Sequence, residues 1–219
     1  MTDPSVIHVP PAAAPSPVKR AVKGAARCAA LVGVAPVLVS YWLNAAVRGR
    51  GPALESRSQL LSLWPGLTGQ YLRRAFLQQV LARCHPSACV EFGTFFSQPG
   101  AVLDENVYVG PRCILGLVHL ERDVLLAANV QIPSGGMTHY FGDPTRPIRE
   151  QGGERKMVTV GAGAWIGSGA IVLADVGKGT VVAAGSVVTK PLPENVIAGG
   201  VPAKVIRSRF EPAPAEGTE

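Results

Sequence analysis

The 219-residue chain is 47% hydrophobic and only 16% charged, with 25 Gly, 19 Pro and a net charge of +6. That length suits one domain plus an appendage, and the apolar content supplies a sizeable core. The basic excess is largely local, because Lys19, Arg20, Lys23, Arg27, Arg48, Arg50 and Arg57 flank one apolar stretch; no aromatic-basic interleaving or nucleic-acid motif accompanies it, so nucleic acid is excluded as a partner.

Residues 1–18 are rich in Pro and Ala and are expected to be disordered. Residues 19–50 form a basic-flanked apolar segment in which Cys28–Val47 carries no charge. Its length is near the minimum for a membrane-spanning helix. A cleaved signal peptide does not fit, since the charged region starts late and no small-residue cleavage site follows. Two readings stay open: a buried or trimer-packing helix, and a membrane anchor whose basic ends favour anionic headgroups. Residues 51–84 read as a helical region with apolar contacts from Leu60 to Leu81, broken at Trp64-Pro65-Gly66. Arg73, Arg74 and Arg83 are expected to face solvent or lipid headgroups. A helix over the open end of the following domain would protect its edge strand.

Residues 85–207 carry a six-residue period. From Leu103 the steps read Leu-Asp-Glu-Asn-Val-Tyr and Val-Gly-Pro-Arg-Cys-Ile, then, after a short step at 115–119, Leu-Glu-Arg-Asp-Val-Leu and Leu-Ala-Ala-Asn-Val-Gln. A second block opens at Val160, is shortened at 172–175, and resumes at Val176. This period fits neither an amphipathic helix nor an alternating strand. It fits a mainly β fold, a parallel β-helix in which three steps close one triangular coil. The opening aliphatics stack inward, and Gly, Asp and Asn take the corners, where the backbone conformation resists branched residues. The number of in-register steps disfavours an ordinary β-sandwich. Residues 134–157 break the period as one long loop, and such loops in compact repeats are often functional. Residues 208–219 read as a solvated tail. Cys28, Cys84, Cys89 and Cys113 show neither metal spacing nor a disulfide framework. Cys113 takes an inward repeat position, and the cysteine usage agrees with a reducing, cytoplasmic environment.

The stretch Val158–Arg207, through Ala-Trp-Ile-Gly-Ser-Gly-Ala (164–170), Ala-Ala-Gly-Ser-Val-Val-Thr-Lys (183–190) and Ala-Gly-Gly-Val-Pro-Ala-Lys-Val-Ile-Arg (198–207), resembles the hexapeptide-repeat acyltransferase family. It looks most like the branch of maltose, galactoside and nodulation-factor acetyltransferases and polysaccharide O-acetyltransferases. The resemblance implies a left-handed β-helix, a homotrimer, and acetyl-CoA or another acyl-CoA bound between neighbouring coils. It implies CoA contacts from Ser168, Ala184, Thr189, Lys190, Lys204 and Arg207. Cationic Lys190, Lys204 and Arg207 suit the phosphates, and Trp165 offers an aromatic wall near the thioester or a trimer contact.

The resemblance also makes His139, near the start of the loop, the general base. The chemistry agrees, because an alcohol is a poor nucleophile until its proton is taken and imidazole titrates near working pH. His119, at the shortened step and expected at a corner, is the weaker candidate. Asp143, Glu150 and Glu91 are candidates to orient the base. The acidic acceptor-binding residue of the maltose and galactoside enzymes has no match in Cys113-Ile-Leu-Gly-Leu-Val118. Arg146 and Arg149 either bind an anionic acceptor or brace the loop through Glu150. No metal is expected, and a zinc hydratase built on the same coil needs a histidine cluster that is lacking. The expected activity is O-acyl transfer to a hydroxyl of a carbohydrate or cell-envelope glycan precursor, in the cytoplasm or at the inner membrane face. The alternative is a non-catalytic β-helix module in a membrane-side glycan-synthesis complex.

Overall fold

The computed structural model describes residues 17–211, and side chains from residue 23 onward. The expectation of disorder for 1–18 therefore lies outside the described residues up to position 16, while 17 and 18 are already helical; most of the tail at 208–219 also lies outside them. Three helices come first: α1 (Pro17–Arg48), α2 (Arg50–Ser62) and α3 (Gly66–Val80). Leu63-Trp64-Pro65 separates α2 from α3, which opens at Gly66 with φ +65°.

A parallel β-solenoid follows. Its three flat faces stack strands from successive coils, and the longest face places six parallel strands in line. Its first strand, Arg83–Cys84, already pairs with Val102–Leu103, so the coil opens two residues before position 85. The six-residue period becomes three inward columns. The first face stacks Cys84, Leu103, Leu120, Val160, Val176 and Leu192. The second stacks Val90, Val109, Leu126, Ile166, Val182 and Ala198. Phe96, Leu115, Ile132, Val172 and Val188 fill the third. All are buried, and each large aliphatic among them contributes roughly 1.5–3 kcal/mol by leaving water. Corners fall at left-handed residues, among them Asn106, Asp123, Asn129, Gly163, Gly179 and Asn195. Arg112, at φ 59°, is the one charged long side chain among these described corners.

The outward residues distinguish the faces. The first presents Arg83, His119 and Thr159. The second presents an apolar ladder of Tyr108, Leu125, Trp165, Val181 and Ile197. The third presents Phe95, Ile114, Gln131, Ile171 and Val187.

Helices α2 and α3 cover the open end of the first coil, as edge protection requires. The edge N–H groups of Gly93 and Phe96 donate to the Ser62 carbonyl (2.8 Å) and the Ser58 hydroxyl (3.0 Å). The edge carbonyls of Val90 and Ala88 accept from Arg73 (2.9 Å) and Arg74 (3.3 Å). Arg73 is thus a correction to the expectation of a solvent- or lipid-facing arginine. It is 2% exposed and also donates to the Leu61 and Trp64 carbonyls. A donor-only guanidinium suits an edge that presents acceptors. Burial lowers its pKa from the ordinary arginine value, with Glu91 opposing that effect. Helix α1 packs on α2 and α3 through Ala30, Val34 and Tyr41, while Val32, Val39, Leu43 and Val47 stay exposed.

Candidate active site

The 134–157 loop leaves the third face after Ile132 and returns on the first face at Val158. Its two arms bind each other along the backbone. Lys156 N–H donates to Ser134 O (2.9 Å), Glu154 to Met137 O (2.8 Å) and Tyr140 to Gly152 O (3.0 Å). The buried Ser134 hydroxyl anchors the base of the loop by accepting from Leu117 N–H at 2.9 Å. Gly153 lies so close to Thr138 that a Cβ would overlap the Thr138 carbonyl and stand 2.9 Å from His139 N. His139 is therefore held on a paired hairpin-like arm.

The exposed His139 lines a cavity of about 310 Å³ with Thr138, Arg149, Gly152, Gly153 and Arg155. Of the three orienting candidates, none hydrogen-bonds His139 within this chain. Asp143 closes a local turn, accepting from Thr145 N (2.9 Å) and Oγ1 (2.6 Å), and those bonds lower its pKa. Glu150 stands 3.7 Å from Arg149. Glu91 accepts from Gln70 at 2.7 Å, near the helical cap. The two loop arginines differ. Arg146 donates to the Glu150 carbonyl at 2.6 Å and braces the loop, whereas Arg149 reaches the His139 cavity.

His119 is corrected from a corner to a strand, Val118–Leu120, on the first face. The shortened step is taken up at Gly116-Leu117, which leaves His119 in register with Val102 and Thr159. Its Nε2 lies 3.1 Å from Asp104, which also pairs with Arg83. It belongs to a surface ion cluster and does not line the cavity that contains His139.

The residues expected at the donor lie on the later coils. Ser168 and Ala184 stand exposed at stacked corners, where Gly185 N donates to Ser168 O at 2.8 Å. Trp165 stands half-exposed in the outward ladder of the second face, between Leu125 and Val181. Thr189 lines a larger cavity of about 480 Å³ with Gly136, Met137 and Lys156, at the base of the histidine loop. Lys190 is exposed beside it. Lys204 and Arg207 lie on the antiparallel hairpin Val196–Gly200/Ala203–Ser208 that ends the coil. Lys204 is exposed, while Arg207 spends Nη1 on the Ser208 and Glu211 carbonyls (3.2 and 2.6 Å). Among the described residues no group of three or more His, Cys, Asp or Glu is placed to hold a metal ion.

Sequence reasoning missed Gly153 and Arg155. The Gly152-Gly153 pair inside a loop was the available signal. After it alternate residues line different recesses, Gly153 and Arg155 that of His139, Glu154 and Lys156 another.

No family model matches the chain. Over 142 residues it is 36% identical to a Saccharomyces cerevisiae protein named as an acetyltransferase, an alignment covering 62% of this chain and 70% of that protein. It is 29% identical over 163 residues to a galactoside O-acetyltransferase of Escherichia coli, covering 65% and 80% of the two chains. Among solved structures, a galactoside acetyltransferase in complex with coenzyme A shares the fold at TM-score 0.54 and 24% identity, covering 72% of this chain and 82% of that one.

Proposed function

This chain belongs to the hexapeptide-repeat acetyltransferase family, and on that premise we propose that it moves an acetyl group from acetyl-CoA to a hydroxyl of a carbohydrate or cell-envelope glycan precursor, with His139 as general base. The observation that carries the reading is the placement of His139 on a backbone-paired loop, at a cavity lined by glycine backbone and cationic side chains. In the reaction the acceptor oxygen attacks the thioester carbonyl while His139 takes its proton. The C–S bond then breaks, and His139 returns the proton to the departing thiolate. Nearby backbone N–H groups stabilise the oxyanion between those two steps.

On the donor side, Ser168, Ala184 and Thr189 offer small side chains and backbone polar groups to the pantetheine arm. Lys190, Lys204 and the remaining donors of Arg207 face the phosphates. Trp165 serves either the thioester end or a neighbouring subunit. A homotrimer is supported by the uncharged apolar ladder on the second face, in which Tyr108, Leu125 and Trp165 stand exposed. Association with the inner membrane face is supported by α1, whose stretch Lys23–Arg48 is long and apolar enough to cross a bilayer. Its buried side is already used by α2 and α3, so the outward side is the one that meets lipid.

The test is acetyl transfer from acetyl-CoA to a panel of glycosides, read as thiol release and as a gain of one acetyl group by mass. His139→Ala should lower turnover by about two to four orders of magnitude and leave calorimetric CoA affinity in place. Equal turnover in the variant removes His139 from the mechanism. Failure of the wild type to bind acetyl-CoA shifts the reading to the non-catalytic assembly module.

A further inference from the structure

We propose that the acceptor carries an oxyanion, bound by Arg149 and Arg155 beside His139. The inference rests on the acetyl-transfer reading and names the acceptor's chemistry. Both guanidinium-bearing residues line the His139 cavity, and no carboxylate lines it with them. The loop sorts its own charges to produce this. Gly153 and Arg155 face the His139 cavity, while the alternate residues Glu154 and Lys156 face a separate recess shared with Ser134 and Met137. Glu154, the only acid in this stretch, therefore lines the other recess and leaves the His139 cavity to the two arginines. Glu150 does not satisfy Arg149. Their 3.7 Å contact involves Nε alone, between side chains 84% and 52% exposed, which is a weak pairing.

Two like charges converging on one cavity repel each other until an anion bridges them. A guanidinium offers carboxylate or phosphate two parallel donors, which fixes the orientation of the bound group as well as its presence. A neutral sugar makes no such use of them. Bound there, the anion would hold the acceptor so that a ring hydroxyl meets His139. The phosphates of CoA have the same chemistry, but the whole pantetheine arm separates them from the thioester. A cation next to the base therefore meets the acceptor end of the reaction.

The test compares α-D-galactose 1-phosphate with methyl α-D-galactoside, which share their ring hydroxyls and differ in charge, in the full-length protein and in the double variant R149Q/R155Q. Both arginines are exposed, and a thermal melt checks that the variant folds. In the wild type kcat/KM should favour the phosphate by about tenfold or more, and the double variant should lose that preference. CoA affinity should survive in the variant. Equal kcat/KM for the two sugars, or a preference kept by the variant, overturns the proposal. So does a matched loss of CoA affinity, which would assign the arginines to the donor's phosphates. If neither sugar is acetylated, the sugar-transfer reading fails for these acceptors, and the His139 ring NMR signals decide this inference separately. A saturable shift with the phosphate, lost in the double variant, supports the anion site. No shift, or an equal shift in the variant, overturns it.

Discussion

Gly153 lies directly against Thr138, the residue that precedes the proposed base His139. A side chain at 153 would collide with the Thr138 carbonyl and press on His139 N at 2.9 Å. These are backbone atoms held by the Glu154–Met137 and Tyr140–Gly152 bonds, so they cannot rotate aside. Gly153→Ala should therefore displace His139 without touching the coil core. We expect turnover to fall by up to about 10²-fold, the scale of a misplacement near 1 Å. The melting temperature should move little, and CoA affinity should hold. Wild-type turnover in Gly153→Ala would show that the loop tolerates the shift and that Gly153 does not position the base.

Much of the coil was legible in the chain because one physical requirement repeats. The inward columns from Leu103 to Val188 need an aliphatic every sixth residue, and the corners at Asn106, Asn129 and Gly163 need a left-handed backbone. What departed from the repeat was harder to place. Nothing local distinguishes a shortened step absorbed at Gly116-Leu117 from one absorbed at His119. Arg73 reads as a surface residue because its partners are carbonyls of a coil edge, which no side-chain pattern reveals. Arg155 acquires its direction only from the pairing of the two loop arms. His139 was visible through the resemblance and its place in a long loop, whereas its neighbours depend on how that loop folds.

Arg73 also gives a stability prediction. It supplies donors to the Val90, Leu61 and Trp64 carbonyls in a site closed to water. Replacing it with leucine removes the donors and leaves those acceptors buried. Hydrogen bonds from a charged group contribute roughly 1.5–3 kcal/mol, so Arg73→Leu should cost about 3 kcal/mol or more in urea unfolding. The loss should appear first as faster amide exchange in the first coil, at Cys89 and Phe95. A midpoint equal to wild type would mean that the Arg73 bonds add nothing to the cap beyond its apolar contacts and the bonds at Ser58, Ser62 and Arg74.

The cysteines make a reactivity prediction. Burial pushes the Cys84 thiol up to about 12, with Arg74 opposing, and pushes Cys113 up to about 11. Cys89 rises to about 11 through burial first and then Glu91. Only the thiolate is nucleophilic, so at pH 8 iodoacetamide should modify the exposed Cys28 and spare Cys84 and Cys113 in the native protein. The folded pKa values exceed the unfolded value of 9.0, so the stabilising effect is full below that pH. It falls as pH rises, because the unfolded chain ionises first. Urea midpoints should decline above about pH 9. Rapid labelling of Cys84 at pH 8 would contradict the burial assigned to it.

Helix α1 decides how the membrane reading is tested. Removing it whole is uninformative, because Tyr41 is fully buried and packs edge-on against Phe76 at 5.8 Å. Its loss would open the helical cap as well as any lipid contact. Substitutions confined to the outer side separate the two effects. Val32, Val39, Leu43 and Val47 are 75%, 60%, 68% and 85% exposed, so changing all four to serine removes apolar area from solvent and little from the core. Each buried aliphatic is worth roughly 1.5–3 kcal/mol of transfer, so the combined change should abolish sedimentation with vesicles containing anionic phosphatidylglycerol. The basic residues near the helix ends, Lys23, Arg27 and Arg48, predict weaker binding to vesicles of neutral phosphatidylcholine and at raised salt. Melting temperature should stay at the wild-type value or rise. If wild type and variant sediment equally, α1 does not hold the protein at lipid; its outer face then awaits a protein neighbour, and the same four substitutions should instead lower the oligomer mass seen in solution.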